Sequence, residues 1–200
     1  MQMDIVSRAQ QIILKPKEEW VKIKEEKITI AELFTSYAVI LLAIPAIAQF
    51  IGLSIVGRRI PFVGWYRMGI VSGFFYAVLY FVLSLVAAYV FGIVINALAP
   101  TFSSKSDATA AMKLAVYSMT PAWVAGVLHI IPFLGVLVIL ASLYGIYVLY
   151  LGFACPMMDT PKEKILSYLI VSLVVVAILW VIVMVLLGAI FTVGGVYGTI

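Results

Sequence analysis

Charge is what this 200-residue sequence has least of. Thirteen Lys and Arg and nine Asp and Glu make up 11% of the chain, against 65% apolar residues. A soluble domain carries about 25% charged residues, and one this small cannot hide two thirds of its residues from water. That scarcity excludes a soluble globular protein, and the mean hydropathy of +1.19 agrees. Histidine and cysteine are each present once, as His129 and Cys155. A lone Cys excludes an intrachain disulfide, and a lone His without a partner carboxylate makes neither a metal site nor a catalytic dyad. His-Glu-x-x-His, Gly-x-Ser-x-Gly, a Walker loop and paired carboxylates within the apolar runs are all missing, so no metal, cofactor or catalytic residue is expected and an enzyme is disfavoured. The net charge of +4 does not point to nucleic acid, because the basic residues are spread between apolar runs as membrane orientation requires.

What is present is apolar length. Charged residues leave four uncharged runs, Leu33–Gly57, Met68–Ser104, Leu114–Met158 and Ile165–Ile200. A spanning helix needs about 20 residues to cross ~30 Å of hydrocarbon. The third run is too long for one helix and is punctuated at Ile131-Pro132-Phe133-Leu134-Gly135. Five spans follow, over 31–56, 70–98, 109–130, 132–153 and 162–190, with four as the alternative if part of the third run is re-entrant. The sequence predicts an all-α, polytopic integral membrane protein: a five-helix bundle (29–200) preceded by an amphipathic arm (1–28). Period-2 alternation is absent, and backbone amides in hydrocarbon must then be paired within helices. Thr29-x-x-Glu32 and Thr160-Pro161-x-Glu163 read as capping boxes at the first and last spans, and the glycines at 194, 195 and 198 are expected to fray the last.

In the arm, Ile5, Val6, Ala9, Ile12 and Ile13 share one helical face, with Asp4, Arg8 and Gln11 opposite. Lys15-Pro16 ends that helix, and Trp20 and Ile23 follow among Glu and Lys. Two readings stand: a helix lying in the headgroup layer, or a helix packed on the loop ends of the bundle. Polar residues early in the chain interrupt any signal-peptide core, so the first span is expected to be an uncleaved anchor. With the arm inside, ten Lys and Arg fall on the cytoplasmic side and only Arg58, Arg59 and Arg67 outside, which favours a cytoplasmic N-terminus and an external C-terminus in a cell membrane. The three arginines sit in a short loop with Trp65 and Tyr66, suited to headgroups and the interfacial belt.

Within the spans, Lys113 is expected to snorkel to the cytoplasmic surface. Gln49, Ser54, Ser72, Ser84, Asn96, Ser118, Thr120 and Ser142 supply hydroxyls and amides, joined by Tyr117, Tyr144, Tyr147 and Tyr150. Tyr144 and Tyr147 lie near mid-span, so their hydroxyls are expected to find partners inside the bundle. Small-residue pairs at Gly69/Gly73, Ala88/Gly92, Ala122/Gly126 and Ala141/Gly145 permit close helix approach. Pro45 and Pro121 are expected to kink their spans, with Thr120 re-satisfying a freed carbonyl.

The stretch Tyr117-Ser118-Met119-Thr120-Pro121-Ala122, running on to Gly126, has a Tyr-Ser-x-Thr-Pro…Ala-Gly form. Ile131-Pro132-Phe133-Leu134-Gly135 follows it, then Tyr144-Gly145-Ile146-Tyr147 on to Gly152. Leu14-Lys15-Pro16…Trp20…Ile23 lies upstream, and Met157-Met158-Asp159-Thr160-Pro161 precedes the last span. Together these resemble the YIP-type family (Ypt-interacting protein domain) over nearly the whole chain. The resemblance implies a five-span helical membrane domain with a cytoplasmic N-terminus and no catalytic residues. Eukaryotic members resemble trafficking factors that contact Rab-type GTPases. Their acidic Leu-Tyr-Gly-Pro motif is absent here and the arm is short, so the chain looks like the short prokaryotic branch. The expected role is a non-enzymatic scaffold or interaction protein whose partners are the bilayer, a second copy or another membrane protein. The alternative is a channel, small-solute transporter or lipid-moving protein with a Tyr/Ser/Thr-lined wet interior.

Overall fold

The computed structural model describes residues 4–60, 64–155 and 157–196. Two arm helices, α1 (Ile5–Leu14) and α2 (Pro16–Glu25), precede five helical spans. The spans cover Ile30–Val56, Ile70–Phe102, Ala108–Ile130, Pro132–Ala154 and Lys162–Ile190, five in number as expected. The last helix continues through Gly194 and Gly195 to Val196, so the fraying expected there is not seen; Gly198 lies outside the described residues.

Connections define two faces. The loop between the second and third spans is tied to the loop between the fourth and fifth: Lys105 N–H donates to the Met158 carbonyl at 2.8 Å, and the Ser104 hydroxyl to Thr160 Oγ1 at 2.9 Å. The arm joins them on this face. The opposite face carries a hairpin of β1 (Arg58–Ile60) and β2 (Gly64–Tyr66), antiparallel with Arg59 opposite Trp65. The arginine loop is therefore a strand pair. Gly57 and Gly64 hold φ of +81° and +101°, values that fold the hairpin back and that a side chain would resist. Trp65 is exposed.

Thr29 and Glu32 form the expected capping box, each side chain accepting from the other's backbone amide. At the last span the box does not form. The Thr160 hydroxyl is taken by Ser104, and the span opens with a 3-10 turn at Lys162–Lys164. A neighbouring loop has outcompeted the local cap.

The third span is the axis of the molecule. It is the least apolar of the five, and 67% of its most hydrophobic stretch is buried by protein, against 17–39% for the others. Residues surrounded by protein need not be greasy enough to face lipid, whereas the fifth span, mostly lipid-facing, must be. The helix breaks at Met119, ahead of Thr120-Pro121, and ends in a 3-10 stretch at Gly126–Ile130. Thr120 does not serve as the expected local patch; its Oγ1 pairs with the Tyr37 hydroxyl at 2.9 Å. Pro45 lies inside the first span, which is π-helical on either side at Phe34–Ala38 and Ile51–Val56.

Small residues set the closest approaches. A methyl at Gly126 would lie 2.5 Å from Pro45 Cβ, and one at Gly145 would lie 2.7 Å from the Ser118 carbonyl oxygen. Gly73 faces Ser54 and Gly92 faces Met112, while Gly69 and Gly188 face open space. The contrast gives a test. Gly145→Ala forces the third and fourth spans apart and is expected to destabilise by about 1–3 kcal/mol. Gly188→Ala, in a helix with room for a methyl, is expected to be neutral or to stabilise by about 0.5–1 kcal/mol. Thermal melting in detergent, followed by helicity, separates the two; equal shifts would refute the packing assigned to Gly145.

Candidate functional site

The arm does not float. Helix α1 packs against Thr120–Ala125 and α2 against the fourth span. In α2, Pro16, Glu19, Trp20 and Ile23 are all buried, the i, i+3, i+4, i+7 stripe of one helical face. In α1 the buried residues are Ala9 and Ile12, while Val6 is exposed. The face presented to protein is thus rotated from the expected one, and Arg8, placed on the polar side by the sequence, is turned inward.

Trp20, 1% exposed, lies against Gly152 and Leu114, where a methyl on Gly152 would sit 2.8 Å from its ring. Its indole N–H donates to the Val148 carbonyl at 2.9 Å. Trp20 meets Tyr117 edge-on at 6.3 Å between ring centres, and Tyr117 meets Tyr37 the same way at 4.9 Å. The Arg8 guanidinium stands 5.8 Å from the Tyr117 ring centre, within cation–π range. It donates to Glu19 at 2.5 Å and to Glu26 at 3.1 Å. Glu19 also accepts from Lys22 at 2.9 Å, and Tyr117 donates to Glu26 at 3.5 Å. The Tyr144 hydroxyl donates to the Ile13 carbonyl at 2.8 Å, so the fourth span also holds the end of α1.

Lys113 completes the joint. It is 4% exposed, and its Nζ donates to the carbonyls of Ile23 at 2.8 Å and Glu26 at 2.6 Å. These are the last carbonyls of α2 and its cap, the end of a helix that attracts cations. The side chain does reach toward the arm face, as snorkelling requires, but its ammonium is met there by carbonyls of the arm and little of it is exposed. Arg8, Glu19 and Lys113 are drawn together by chain folding, and each buried charge has hydrogen-bonded partners as burial requires.

Other residues marked by the sequence fall outside this joint. Tyr147 is 42% exposed and touches Tyr144, ring centres 5.7 Å apart, so its side chain looks outward and not into the bundle as expected. The Ser118 hydroxyl bonds back to Ala115. Pro132 and Gly135 shape the turn between the third and fourth spans on the hairpin face. Ala141 is partly buried along the fourth span. Cys155, at the end of that span, has its thiol pushed up by burial, which leaves it protonated and a poor nucleophile. Among the described residues no group of three His, Cys, Asp or Glu could hold a metal ion.

Among the described residues the buried hydroxyls do not form one hydrogen-bonded set, and those of Ser54, Ser84 and Ser172 have no partner. Tyr37, Tyr117 and Thr120 are fully buried at the centre. Space opens instead at the periphery, as an apolar groove of about 380 Å³ between the fourth and fifth spans, floored by Phe91, Met119 and Ala122. Sequence reasoning missed Glu19 and Arg8 as parts of the site. One signal was available, since Glu19 sits in the same helical stripe as Pro16, Trp20 and Ile23, and a carboxylate in an apolar stripe needs a buried cation.

Comparison with known proteins agrees with this architecture. The chain matches the Yip1 domain family over residues 11–185. It is 27% identical over 156 residues to the inner membrane protein YohC of Escherichia coli K12, covering 76% of this chain and 80% of that protein. The match to YohC of Escherichia coli O6:H1 has the same identity and coverage. No solved structure matches the chain significantly. The region matched by the family includes Trp20, Lys113, Tyr117, the first four spans and the fifth as far as Val185, and the chain belongs to the Yip1 domain family of membrane proteins.

Proposed function

We propose that this protein is a non-enzymatic organiser of an inner membrane, acting through its helix surfaces and docked arm on a second copy or on another membrane protein. One observation carries the reading: the charged and indole groups where the arm meets the bundle are engaged in holding the arm, from Trp20 on Val148 to Lys113 on Ile23 and Glu26. An enzyme would keep a nucleophile and a base free beside a cavity, and a channel would keep its hydroxyls wet. The YohC relatives are named as inner membrane proteins, which supports the same compartment here. The ten-to-three distribution of Lys and Arg supports an arm on the cytoplasmic side.

A single experiment addresses both partnership and sidedness. In a Cys155→Ser background, a cysteine is placed at Lys162 or at Arg58, on opposite faces. An impermeant maleimide applied to intact cells should label the Arg58 position alone. Bifunctional crosslinking of the same membranes should give dimers or a discrete heteromer, reduced when residues 1–28 are deleted. Monomers alone, with or without the arm, would overturn the organising role, and labelling at Lys162 would overturn the orientation.

A further inference from the structure

On the arm face, a cavity of about 360 Å³ opens where the end of α2 meets the start of the third span and the loop that leads into the fifth. Four lysines line it: Lys24 and Lys27 from the arm, Lys105 from the loop after the second span, and Lys113 from the third span. Three carboxylates are also present, but they are not equivalent. Glu26 is engaged elsewhere, with one oxygen on Arg8 and the other on Tyr117. Asp107 spends one oxygen capping the third span, accepting from Ala110 N–H at 2.9 Å. Asp159 is exposed on the loop rim. Four ammonium groups therefore face three carboxylates, of which Glu26 is shared with Arg8.

Lys113 is the telling member. Its ammonium has three N–H donors; two go to the Ile23 and Glu26 carbonyls, and none of the ion pairs among the described residues includes it. A cation 4% exposed, hydrogen-bonded to carbonyls and with one donor left over on a cavity wall, has Glu26 and Asp107 near enough to act on its charge but no carboxylate in direct contact. Carbonyl dipoles hold an ammonium in place but do not neutralise it. A compact anion with several acceptor oxygens would, and the surrounding lysines would share its charge.

We propose that this cavity binds a phosphate group, as a phospholipid headgroup or as a free phosphate, with Lys113 at the base and Lys24, Lys27 and Lys105 around it. The cavity lies at the arm-side end of the spans, so that in a bilayer both a headgroup of that leaflet and a free phosphate could reach it. Because Lys113 holds the arm through its other two donors, bound phosphate and arm docking share one ammonium. The proposal does not depend on the organising role above.

The test uses the full-length protein in nanodiscs at constant ionic strength, set with chloride. In one arm the lipid is phosphatidylcholine and inorganic phosphate is titrated, read as a saturable rise in melting temperature. In the other, phosphate is omitted, phosphatidylglycerol or phosphatidic acid is added, and retained lipid is counted by native mass spectrometry. Binding in the first arm identifies free phosphate, and selective retention in the second identifies the headgroup. Lys24→Ser/Lys105→Ser removes two exposed lysines without touching the core and is expected to weaken whichever binding occurs about tenfold, roughly one charge-assisted hydrogen bond. Lys113→Met should abolish it, and the double variant keeps the test valid if Lys113→Met fails to fold. Absence of saturable binding in both arms, or binding unchanged in the double variant, would overturn the proposal.

Discussion

Trp20→Ala should release the arm from the bundle while leaving the five spans inserted. The indole is almost fully buried against Leu114 and Gly152 and bonded to the Val148 carbonyl, so truncation leaves a large cavity, at a cost of about 3–5 kcal/mol. The consequence is local because the arm differs from the spans in its alternative. A span that loses a contact stays in hydrocarbon, where one apolar surface is as good as another. The arm, once undocked, reaches water or the headgroup layer, so its attachment depends on burying Ile12, Trp20 and Ile23. The lost bond to Val148 matters less, since that carbonyl lies inside a helix and already has a use for one lone pair. The expected result is rapid proteolysis within residues 4–28 and a lowered melting transition, with helicity of the spans retained. An arm that stays protected would show that the Arg8 and Lys113 contacts suffice without the indole.

Arg8→Met tests those contacts. Removing the guanidinium leaves Glu19, whose side chain is 5% exposed, with Lys22 alone, and the Lys22 side chain is 62% exposed. Breaking a buried pair from one side typically costs about 3–5 kcal/mol, because the remaining charge is stranded. Removing both charges is cheaper. Arg8→Met/Glu19→Gln should recover most of the loss, as a neutral pair of similar volume no longer needs a counter-ion. Melting of the wild type, both single variants and the double variant gives the coupling. Strict additivity would show that Arg8 and Glu19 contribute independently and that the ion pair is incidental.

How far the sequence could be read depended on the range of the interaction. The capping box at Thr29–Glu32 formed because its four residues need nothing from elsewhere, and the similar box at Thr160 was lost to Ser104, 56 residues away. Tyr144 was correctly marked as needing a partner, but the partner is the Ile13 carbonyl, on the arm and not in a neighbouring span. Tyr147, one helical turn on, points outward, since a three-residue step changes direction enough to leave a narrow interface. Lys113 was read against water, its only visible alternative, whereas its acceptors lie 87 and 90 residues earlier.

The sequence by itself determined the membrane class and the number of spans, because crossing hydrocarbon demands a fixed length of apolar helix and every break in that length shows as charge or proline. Only the tertiary structure decided that the third span is the axis, that the arm docks there, and that Glu19 and Lys113 are buried with Arg8 half-buried beside them. The desolvation cost of a charge depends on which partners folding brings within hydrogen-bond reach, and those partners are scattered along the chain.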